Sequence, residues 1–568
     1  MKSGSMKKQA VKLCLFFAIL GVSFHLNAAP RIPEKLLAKS LVYCTNSLGF
    51  SFDPQKADVG TNMNVVTEQI YDKLVEFDSQ NNRLKPALAK SYKVSDDGLE
   101  ITFYLRKKVQ FHTTNWFNPS RDFNAEDVLF SLNRVMGRTA DLPELNNLDT
   151  PKYRKKNYNN DVFQTKARRT HFPYFESINL KSKISSITAP SKYVVKITLT
   201  EPDASLLAHL ASQYAVILSK EYALQLSADN NLAQLDTLPV GTGVYQLKNY
   251  VHNNYVRLQK NENYWGKKAN IENVVIDFST SSTGRMAKFL NKECDISAFP
   301  EPSQLSSILD GDIINTEGAN LSFLAFNFQS EKMNDITLRQ TIVNAIDRDR
   351  LNRQLFYGTA RVTNNILPAA LFSDKLVEQR ERNTNYSDFA KNEKNMTASL
   401  KLWVLDEKHV YNLHPLKMAE LIKYDLAKVG ISVDIRQVNR AFLVQQLDNR
   451  TADYDMILTG WLANNYDPDN FLSAILGCRS QFSITNLANW CDTELDSLLL
   501  QARTNEDSKQ RAKLYQVIEK RLREVLPILP LVNVNRVLVV SDRVKNVKIT
   551  PFGRVNLSQL ELVLSKQK

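Results

Sequence analysis

The side chains that could carry out chemistry lie scattered along this chain of 568 residues. The two histidines nearest to each other, His409 and His414, are not spaced for one face of a helix. The run Asp467-Pro468-Asp469 is typical of a polar turn. The motifs H-E-x-x-H, G-x-S-x-G and G-x-x-x-x-G-K-S/T of zinc proteases, serine hydrolases and P-loop proteins do not occur. We therefore expect a protein that is not an enzyme, without catalytic residues, a metal site or a cofactor of its own.

A pair of glycines, Gly241 and Gly243, flanks Thr242 in a pattern that can also begin a dinucleotide-binding loop. Such a loop needs a third glycine at the position where this chain has Gln246. The next residues, Val244 and Tyr245, favour a strand. We therefore interpret the glycine pair as a tight turn that leads into a strand.

The cysteines indicate an oxidising compartment. One of the five, Cys14, lies in the export segment described below, and Cys44, Cys294, Cys478 and Cys491 remain. An even number in an exported chain favours disulfides, for which three connectivities exist. Only 12 residues separate Cys478 from Cys491, which favours their pairing and leaves Cys44 with Cys294. Zinc ligation is the alternative, but no C-x-x-C pair occurs.

Residues 1–28 have the three-part pattern of a secretory signal peptide. Four lysines precede an uncharged, mostly apolar run at residues 13–24, and a small residue, Ala28, offers a cleavage site. The run of 12 residues is too short to span the ~30 Å of hydrocarbon in a membrane. Cleavage after Ala28 removes the four lysines and lowers the formal charge from +13 to +9. We expect an exported, periplasmic protein.

Residues 152–169 form a basic tract, with seven basic side chains against the single acid Asp161 and with aromatic residues between them. Such a mixture can bind phosphate backbones and stacked bases, or anionic lipid head groups. A solvated surface loop is the alternative interpretation. The candidates for polyanion binding are Lys155, Lys156, Arg168 and Arg169.

Hydrophobic periodicity predicts an α/β protein of ordinary globular composition, 43% apolar and 23% charged. Asn124 can cap a helix, because the acidic Glu126 and Asp127 follow it and suit the positive helix N-terminus. Gly430 occupies the position that ends a helix and precedes an alternating strand. Strands are predicted at Glu100–Leu105, Val194–Leu199 and residues 431–435, and further helices at residues 338–351 and 416–429.

Short segments along the chain also match a known family in their order. The most diagnostic are Lys108-Val109-Gln110-Phe111-His112 and Phe123-Asn124-Ala125-Glu126-Asp127-Val128. Others lie at residues 51–54, 69–75, 84–89, 95–98, 239–243, 263–266, 326–327, 339–340, 345–348 and 454–471. Together these segments resemble the peptide receptors of ABC importers, the family 5 extracellular solute-binding proteins that include dipeptide and oligopeptide receptors.

The resemblance implies a type II periplasmic binding protein fold of the large peptide-receptor class. Such receptors have two α/β lobes, three discontinuous domains and a cleft that closes on a hinge. They also pair their cysteines in the way that the spacing favours here. Residues 29–70, 200–320 and 525–568 are then expected to form the core of lobe 1, residues 71–199 an additional domain of that lobe, and residues 321–524 lobe 2.

The resemblance places the ligand between the lobes, bound as an added strand. Peptide receptors have an aspartate for the ligand ammonium group where this chain has Asn464, and dipeptide receptors have an arginine for the ligand carboxylate where it has His409. Both charged anchors are therefore replaced. The predicted ligand-binding residues are Asp58, Gly60, Thr61, His409, Tyr411, Trp461, Leu462, Ala463, Asn464 and Asp467.

The function that the resemblance implies is a periplasmic, monomeric substrate-binding subunit that delivers its ligand to the inner-membrane permease of an ABC importer. The likeness extends to receptors associated with antimicrobial peptides and with haem, so peptides, antimicrobial peptides and haem are the expected ligands. For haem, His409 or Tyr411 could provide a ligand to the iron. The alternative function is a periplasmic interaction protein whose basic tract binds nucleic acid or other polyanions.

Overall fold

The computed structural model describes residues 39–46, 50–57, 64–78, 83–138, 171–279, 281–308, 312–371, 397–481, 483–505 and 507–563. Residues Leu41–Lys568 form one compact unit. The predicted signal peptide lies outside the described residues, and so do seven of the predicted site residues, which are Asp58, Gly60, Thr61, Lys155, Lys156, Arg168 and Arg169.

A seven-stranded mixed sheet forms the centre of lobe 1. Its middle strand, Leu41–Thr45, is buried along its whole length and runs parallel to both of its neighbours. The disulfide between Cys44 and Cys294 ties this strand to the loop before the next one, as predicted. The strands in sheet order are Ile313–Thr316, Arg536–Val540, Ile296–Ala298, Leu41–Thr45, Asn273–Phe278, Tyr255–Lys260 and Tyr245–Val251.

A four-stranded antiparallel sheet shares the hydrophobic core of lobe 1. The predicted strands Glu100–Leu105 and Val194–Leu199 are confirmed, and they lie side by side in it. The helix Ala125–Val135 begins as predicted, because the Asn124 side chain accepts a hydrogen bond from the Glu126 amide while Asp127 accepts one from the Asn124 amide. The strands in order are Ala89–Val94, Glu100–Leu105, Val194–Leu199 and Ile184–Ser191.

A six-stranded sheet forms the centre of lobe 2. The predicted helix, glycine and strand are all present there, because the helix Pro415–Ala427 ends near Gly430, whose φ is +82°, and the strand Ile431–Val438 follows. The second predicted disulfide, Cys478–Cys491, closes a loop in the same lobe. The strands in order are Ala360–Val362, Ile528–Val534, Asn320–Phe326, Met456–Leu462, Ala398–Leu405 and Ile431–Val438.

The helices pack on the sheets and differ from the prediction at one place. Residues 338–351 do not form a single helix, because the chain is extended at Ile346 and the Asp347 carboxylate then caps a new helix at the Arg350 amide. No helix among the described residues is long and apolar enough to cross a membrane. The α-helices are Asn64–Ile70, Ala125–Val135, Pro173–Ser177, Leu180–Lys183, Leu206–Leu210, Lys220–Ala228, Ser282–Leu290, Ile336–Ala345, Arg348–Phe356, Pro415–Ala427, Arg440–Asp448, Asp469–Leu476, Thr493–Thr504 and Ser508–Val525.

Shorter elements complete the described part of the chain. Two antiparallel ribbons pair Val75–Phe77 with Leu84–Pro86 and Val544–Lys545 with Glu561–Leu562. The 3₁₀ helices are Pro54–Lys56, Leu232–Asp236, Pro302–Ser307, Glu331–Asn334, Ala369–Leu371, Cys478–Ser480 and Leu557–Gln559.

The chain passes between the two large sheets twice, after Thr316 and after Val534. The strand Ile528–Val534 pairs with Asn320–Phe326 and Ala360–Val362 in the six-stranded sheet, so it belongs to lobe 2. The predicted boundary at residue 525 therefore falls too early, and the boundary lies at residue 535 instead. The side chain of Asn320 fixes this second crossing by bonding to both the amide and the carbonyl of Val534.

The glycine pair at residues 241–243 is a tight turn before the strand Tyr245–Val251, as predicted. A Cβ on either Gly241 or Gly243 would collide with the backbone at Ile70, and the Gly243 amide donates to the Ile70 carbonyl at 2.8 Å. The glycines are therefore required because the C-terminal end of the helix Asn64–Ile70 packs directly against this turn.

A partly buried carboxylate, Asp72, joins three of the motifs that carry the family resemblance. It accepts hydrogen bonds from Thr242 Oγ1 at 2.9 Å, from Trp265 Nε1 at 2.8 Å and from the Tyr264 hydroxyl at 3.3 Å. Burial raises the pKa of Asp72 to about 6, although the hydrogen bonds from Trp265 and Thr242 act in the opposite direction. The motifs at residues 69–75, 239–243 and 263–266 are thus parts of one packing unit.

We expect Asp72→Asn to change how stability depends on pH. Between about pH 4 and pH 6 the folded protein keeps a proton on Asp72 that the unfolded chain has released, so stability falls as the pH rises. Relative to the variant, the native protein should lose about 2–3 kcal/mol of unfolding free energy between pH 4 and pH 7. Urea unfolding at both pH values measures this loss, with the exposed Asp229→Asn as the control. Parallel pH profiles for native protein and Asp72→Asn would contradict it.

Candidate ligand-binding site

Two buried polar side chains, Trp461 and Asn464, lie at the end of the strand Met456–Leu462, where the lobes meet. In the described part of the chain, neither the indole Nε1 of Trp461 nor the amide oxygen and nitrogen of Asn464, a residue that is 2% exposed, has a hydrogen-bond partner. Buried polar atoms are normally paired in native proteins, because leaving them unpaired costs about 1–3 kcal/mol each. These unpaired atoms make this place a candidate site for the polar groups of a ligand.

The backbone around Asn464 is held by both lobes. Its amide donates to Asn470 Oδ1 at 3.2 Å within lobe 2, and its carbonyl accepts from Arg554 Nη2 of lobe 1 at 2.7 Å. The neighbouring Ala463 amide donates to the Ala319 carbonyl at 2.8 Å in the first chain crossing. The main chain at this position is thus fixed while the Asn464 side chain has no partner.

A short turn carries His409 and Tyr411, the other predicted ligand contacts in lobe 2. His409 and Asn412 exchange both backbone hydrogen bonds, at 3.0 and 2.9 Å, and the His409 and Tyr411 rings stack with their centroids 5.0 Å apart. The Tyr411 ring lies directly on Gly460, where a Cβ would collide with it. Because Gly460 has no side chain, the turn can pack against the strand Met456–Leu462.

The imidazole of His409 is neutral at physiological pH. Burial, with a smaller contribution from Arg440, lowers the pKa of His409 to about 4. Its Nε2 is buried, has no hydrogen-bond partner among the described residues and lies 3.6 Å from the Glu407 carboxylate. Within the described parts of the chain, no three His, Cys, Asp or Glu side chains gather closely enough to hold a metal ion.

Lobe 1 closes the predicted site with Phe299. This residue follows the strand Ile296–Ala298, has a φ of +52°, and packs against Val410, Tyr411 and Leu462. The contact buries part of the Phe299 ring between the turn that carries Tyr411 and the strand Met456–Leu462. It brings the C-terminal edge of the seven-stranded sheet next to the predicted ligand contacts.

The predicted role of Asp467 needs correction. Its carboxylate accepts two hydrogen bonds from Arg511 Nη2, at 2.8 and 2.9 Å, and one oxygen also caps the Asp469 amide. Asp467 therefore holds the helix Ser508–Val525 against the helix that starts at Asp469. It does not offer a charge to a cationic ligand, because the charge is already neutralised within lobe 2.

A buried electrostatic contact between the lobes is centred on Asp469, which is 0% exposed. From lobe 1, Lys183 Nζ lies 3.9 Å, His209 Nε2 3.7 Å and Ser205 Oγ 3.4 Å from its carboxylate. From lobe 2, Arg503 Nη1 lies at 3.5 Å. Burial alone would raise the pKa of Asp469, but His209, Lys183 and Arg503 together hold it well below its usual range.

A second row of contacts continues this interface. Lys183 also pairs with Asp203 at 2.6 Å, and the Tyr174 hydroxyl bonds to His209 Nδ1 at 2.8 Å. The Asn465 amide reaches the same hydroxyl at 3.4 Å from lobe 2. The lobes are thus joined by a buried polar cluster whose members come from five separate stretches of sequence.

Several of these residues could not be identified from the sequence. Lys183, His209 and Arg503 belong to ordinary helical segments, and Asp469 is part of a run that is typical of a polar turn. The pairs between Asp469 and Lys183 or His209 join positions more than 250 residues apart, a separation at which single-sequence patterns carry no information. Of the predicted contacts, the structure brings His409, Tyr411, Trp461, Leu462, Ala463 and Asn464 into one region.

Comparison with known proteins gives consistent matches along the chain. The model of the bacterial extracellular solute-binding proteins, family 5 Middle, matches residues 83–483. Over 557 residues the chain is 48% identical to peptide transport periplasmic protein SapA of Haemophilus influenzae, covering 96% of this chain and 97% of that protein. Heme-binding protein A of the same organism is 30% identical over 562 residues, with 96% and 97% covered.

A solved structure also matches this chain over most of its length. The crystal structure of the dipeptide binding protein from Pseudoalteromonas sp. SM9913 in complex with Met-Leu has a TM-score of 0.76 and 32% identity, covering 92% of this chain and 100% of that chain. The two-lobed periplasmic binding protein fold and the family resemblance seen in short motifs are therefore confirmed.

We expect Asp469→Asn to loosen the contact between the lobes. Removing one partner of a buried ion pair leaves uncompensated charges and costs about 3–5 kcal/mol, and here Lys183 keeps its pair with Asp203 while Arg503 keeps its hydrogen bond to Ser473. The variant should unfold at lower urea concentration, and small-angle X-ray scattering should show a larger radius of gyration for the ligand-free protein. The exposed Asp448→Asn is the control. An unchanged radius and midpoint would show that the cluster does not hold the lobes together.

Proposed function

Because the chain belongs to the family 5 bacterial extracellular solute-binding proteins, we propose that it is the periplasmic substrate-binding subunit of an ABC importer and that it binds peptides between its lobes. The observation that carries this proposal is the pair of unpartnered polar side chains, Trp461 and Asn464, at the end of a central strand beside the chain crossings. The relatives named for peptide transport and dipeptide binding support the same ligand class.

The peptide is bound as an extended segment along residues 461–464, where Ala463 and Asn464 continue the strand beyond its last paired residue. Asn464 takes the ligand amino group through its amide oxygen, and Trp461 donates its indole N–H. Asp58, Gly60 and Thr61 are proposed for the opposite edge of the ligand. An amide accepts a weaker hydrogen bond from an ammonium group than a carboxylate does, so this receptor depends less on a free amino terminus.

Haem is proposed as a second ligand. His409 is neutral and has a buried Nε2 without a hydrogen-bond partner, which is the state in which an imidazole ligates iron. The 30% identity to heme-binding protein A supports this proposal. Haem is here a transported ligand and not a cofactor.

The family also supports a proposal for the location and the partners of the protein. The signal peptide is removed near Ala28, and the mature protein works as a monomer in the periplasm, where it delivers peptides, including antimicrobial peptides, to an inner-membrane permease. The relatives are transport proteins, and none of those compared above supports binding of nucleic acid by residues 152–169. The comparisons therefore favour the proposed receptor function, a non-catalytic role, over the polyanion alternative.

We expect Asn464→Asp to restore selectivity for a free amino group. The new carboxylate would form a charge-assisted hydrogen bond with the ligand ammonium, worth about 1.5–3 kcal/mol, so the preference for Met-Leu over N-acetyl-Met-Leu should rise about tenfold or more. Calorimetry with both peptides measures the preference, and the exposed Asn449→Asp adds the same charge elsewhere as a control. If Asn464→Asp and Asn449→Asp left the preference equally unchanged, Asn464 would not contact the amino group.

We expect His409→Ala to abolish histidine ligation of added haem. The native protein should shift the Soret band of haem to the position of a histidine-ligated iron, because His409 is deprotonated at neutral pH. Absorption spectra of haem titrations measure this, with the exposed His252→Ala as the control. A ligated spectrum that survives in His409→Ala would rule out His409 as the axial ligand.

A further inference from the structure

Arg536 is a buried cation for which the described residues supply no hydrogen-bond acceptor. It is the first residue of the strand Arg536–Val540, directly after the second chain crossing, and it is only 4% exposed. Across the described residues its guanidinium forms no ion pair and donates no hydrogen bond, and its Nε is buried without a partner. An arginine in this state is rare, because a buried charge is normally paired.

The guanidinium is nevertheless held firmly in place. It lies over the Phe299 ring, 5.1 Å from the ring centroid, and against Gly553, where a Cβ would collide with it. Gly553 also has a φ of +86°, so both its backbone conformation and the packing of Arg536 require glycine. These contacts fix the position of the group without satisfying its N–H donors.

A second buried arginine beside the same phenylalanine shows the contrast. Arg285 donates hydrogen bonds to the carbonyls of Ala298, Ser279 and Phe299, at 3.1, 3.0 and 2.9 Å. Its role is structural, since it closes the backbone around Phe299. Among the described residues Arg536 has no such acceptors. Arg285 is therefore hydrogen-bonded, whereas Arg536 is not.

Arg536 is connected to the predicted ligand contacts by packing and by backbone. Phe299, on which it lies, packs against Tyr411 and Leu462 of lobe 2. Val534, two residues before Arg536, is bonded to the Asn320 side chain, and the backbone of Asn320 pairs with Leu462 in the six-stranded sheet. The unpaired cation thus lies at the edge of the same region as Trp461 and Asn464.

We propose that Arg536 binds a carboxylate of the transported ligand. The proposal rests on the receptor function above and assigns the anionic end of the ligand, since a planar guanidinium can form two parallel hydrogen bonds with a carboxylate. It supplies the cation that is missing at residue 409, where dipeptide receptors have an arginine. The carboxylate is the C-terminus of a peptide or a propionate of haem, because both present the same group.

Four probes and two variants test this assignment. Arg536→Gln should weaken binding of Met-Leu by at least tenfold and leave Met-Leu amide within about twofold, because only the first probe has a carboxylate. Haem and haem dimethyl ester form the corresponding pair for the propionate. Arg536→Lys should recover part of the affinity for whichever carboxylate probe is affected, and calorimetry or fluorescence titration measures each value.

The stability of the ligand-free protein separates this role from a structural one. Removing a buried cation without acceptors should leave the Tm of Arg536→Gln unchanged or raise it, whereas the matched Arg285→Gln, which loses three hydrogen bonds, should have a lower Tm. A lower Tm in Arg536→Gln, or equal losses for carboxylate and amide or ester probes, would overturn the assignment. If the native protein bound none of the four probes, the receptor function for these ligands would fail and the assignment with it.

Discussion

The buried carboxylate of Asp469 joins the two lobes, because cations from both of them surround it. Removing a carboxylate from water costs several kcal/mol even after relaxation, and the cost is recovered only if cations and donors surround it in good geometry. In this protein Lys183 and His209 come from lobe 1 and Arg503 from lobe 2, so the surroundings are complete only while the lobes touch. The negative charge of Asp469 is therefore fully compensated only when the lobes are closed. Opening of the lobes has to rehydrate every member of the cluster.

The proposed ligand site differs from this interface, because polar groups in the described part of the site lack partners. The difference explains how the closed protein can be stable and still bind a ligand. At the interface Lys183, His209 and Arg503 surround the Asp469 carboxylate, whereas among the described residues Trp461 Nε1, the Asn464 side chain and Arg536 Nε have no hydrogen-bond partner. A closed receptor without ligand therefore retains an energetic deficit at this site. A ligand that supplies an acceptor or donor to each of these groups stabilises the closed state over the open one, which is the differential affinity that a change of conformation requires.

The sequence allowed the local elements to be predicted, but not their long-range pairs. Alternation identified Glu100–Leu105 and Val194–Leu199, the cap at Asn124 and the glycine at 430 marked helix ends, and the loop length favoured Cys478–Cys491. The helix break at Ile346 was missed because its apolar spacing continues across the break. Asp467 was misjudged because its partner, Arg511, is 44 residues away, and the boundary at 525 was misplaced because the pairing of Ile528–Val534 with a distant strand decides it. Arg536 carries no local signal, since what distinguishes it is the lack of an acceptor in three dimensions.

In receptors that use an aspartate at the position of Asn464, the charge there favours the amino end of the ligand. The charges at the proposed site here favour the carboxylate end instead. Asn464 is neutral, and His409 is neutral because burial lowers its pKa to about 4. Burial also lowers the pKa of Arg536, to about 10, yet this value remains well above the pH of the periplasm, so the guanidinium stays charged. The formal charge of +9 that remains after the proposed cleavage at Ala28 acts in the same direction at long range. A strongly cationic peptide would gain nothing from either effect, so its binding has to come from its backbone and its carboxylate, and a ligand with an exposed anionic group is favoured over one with a free amine alone.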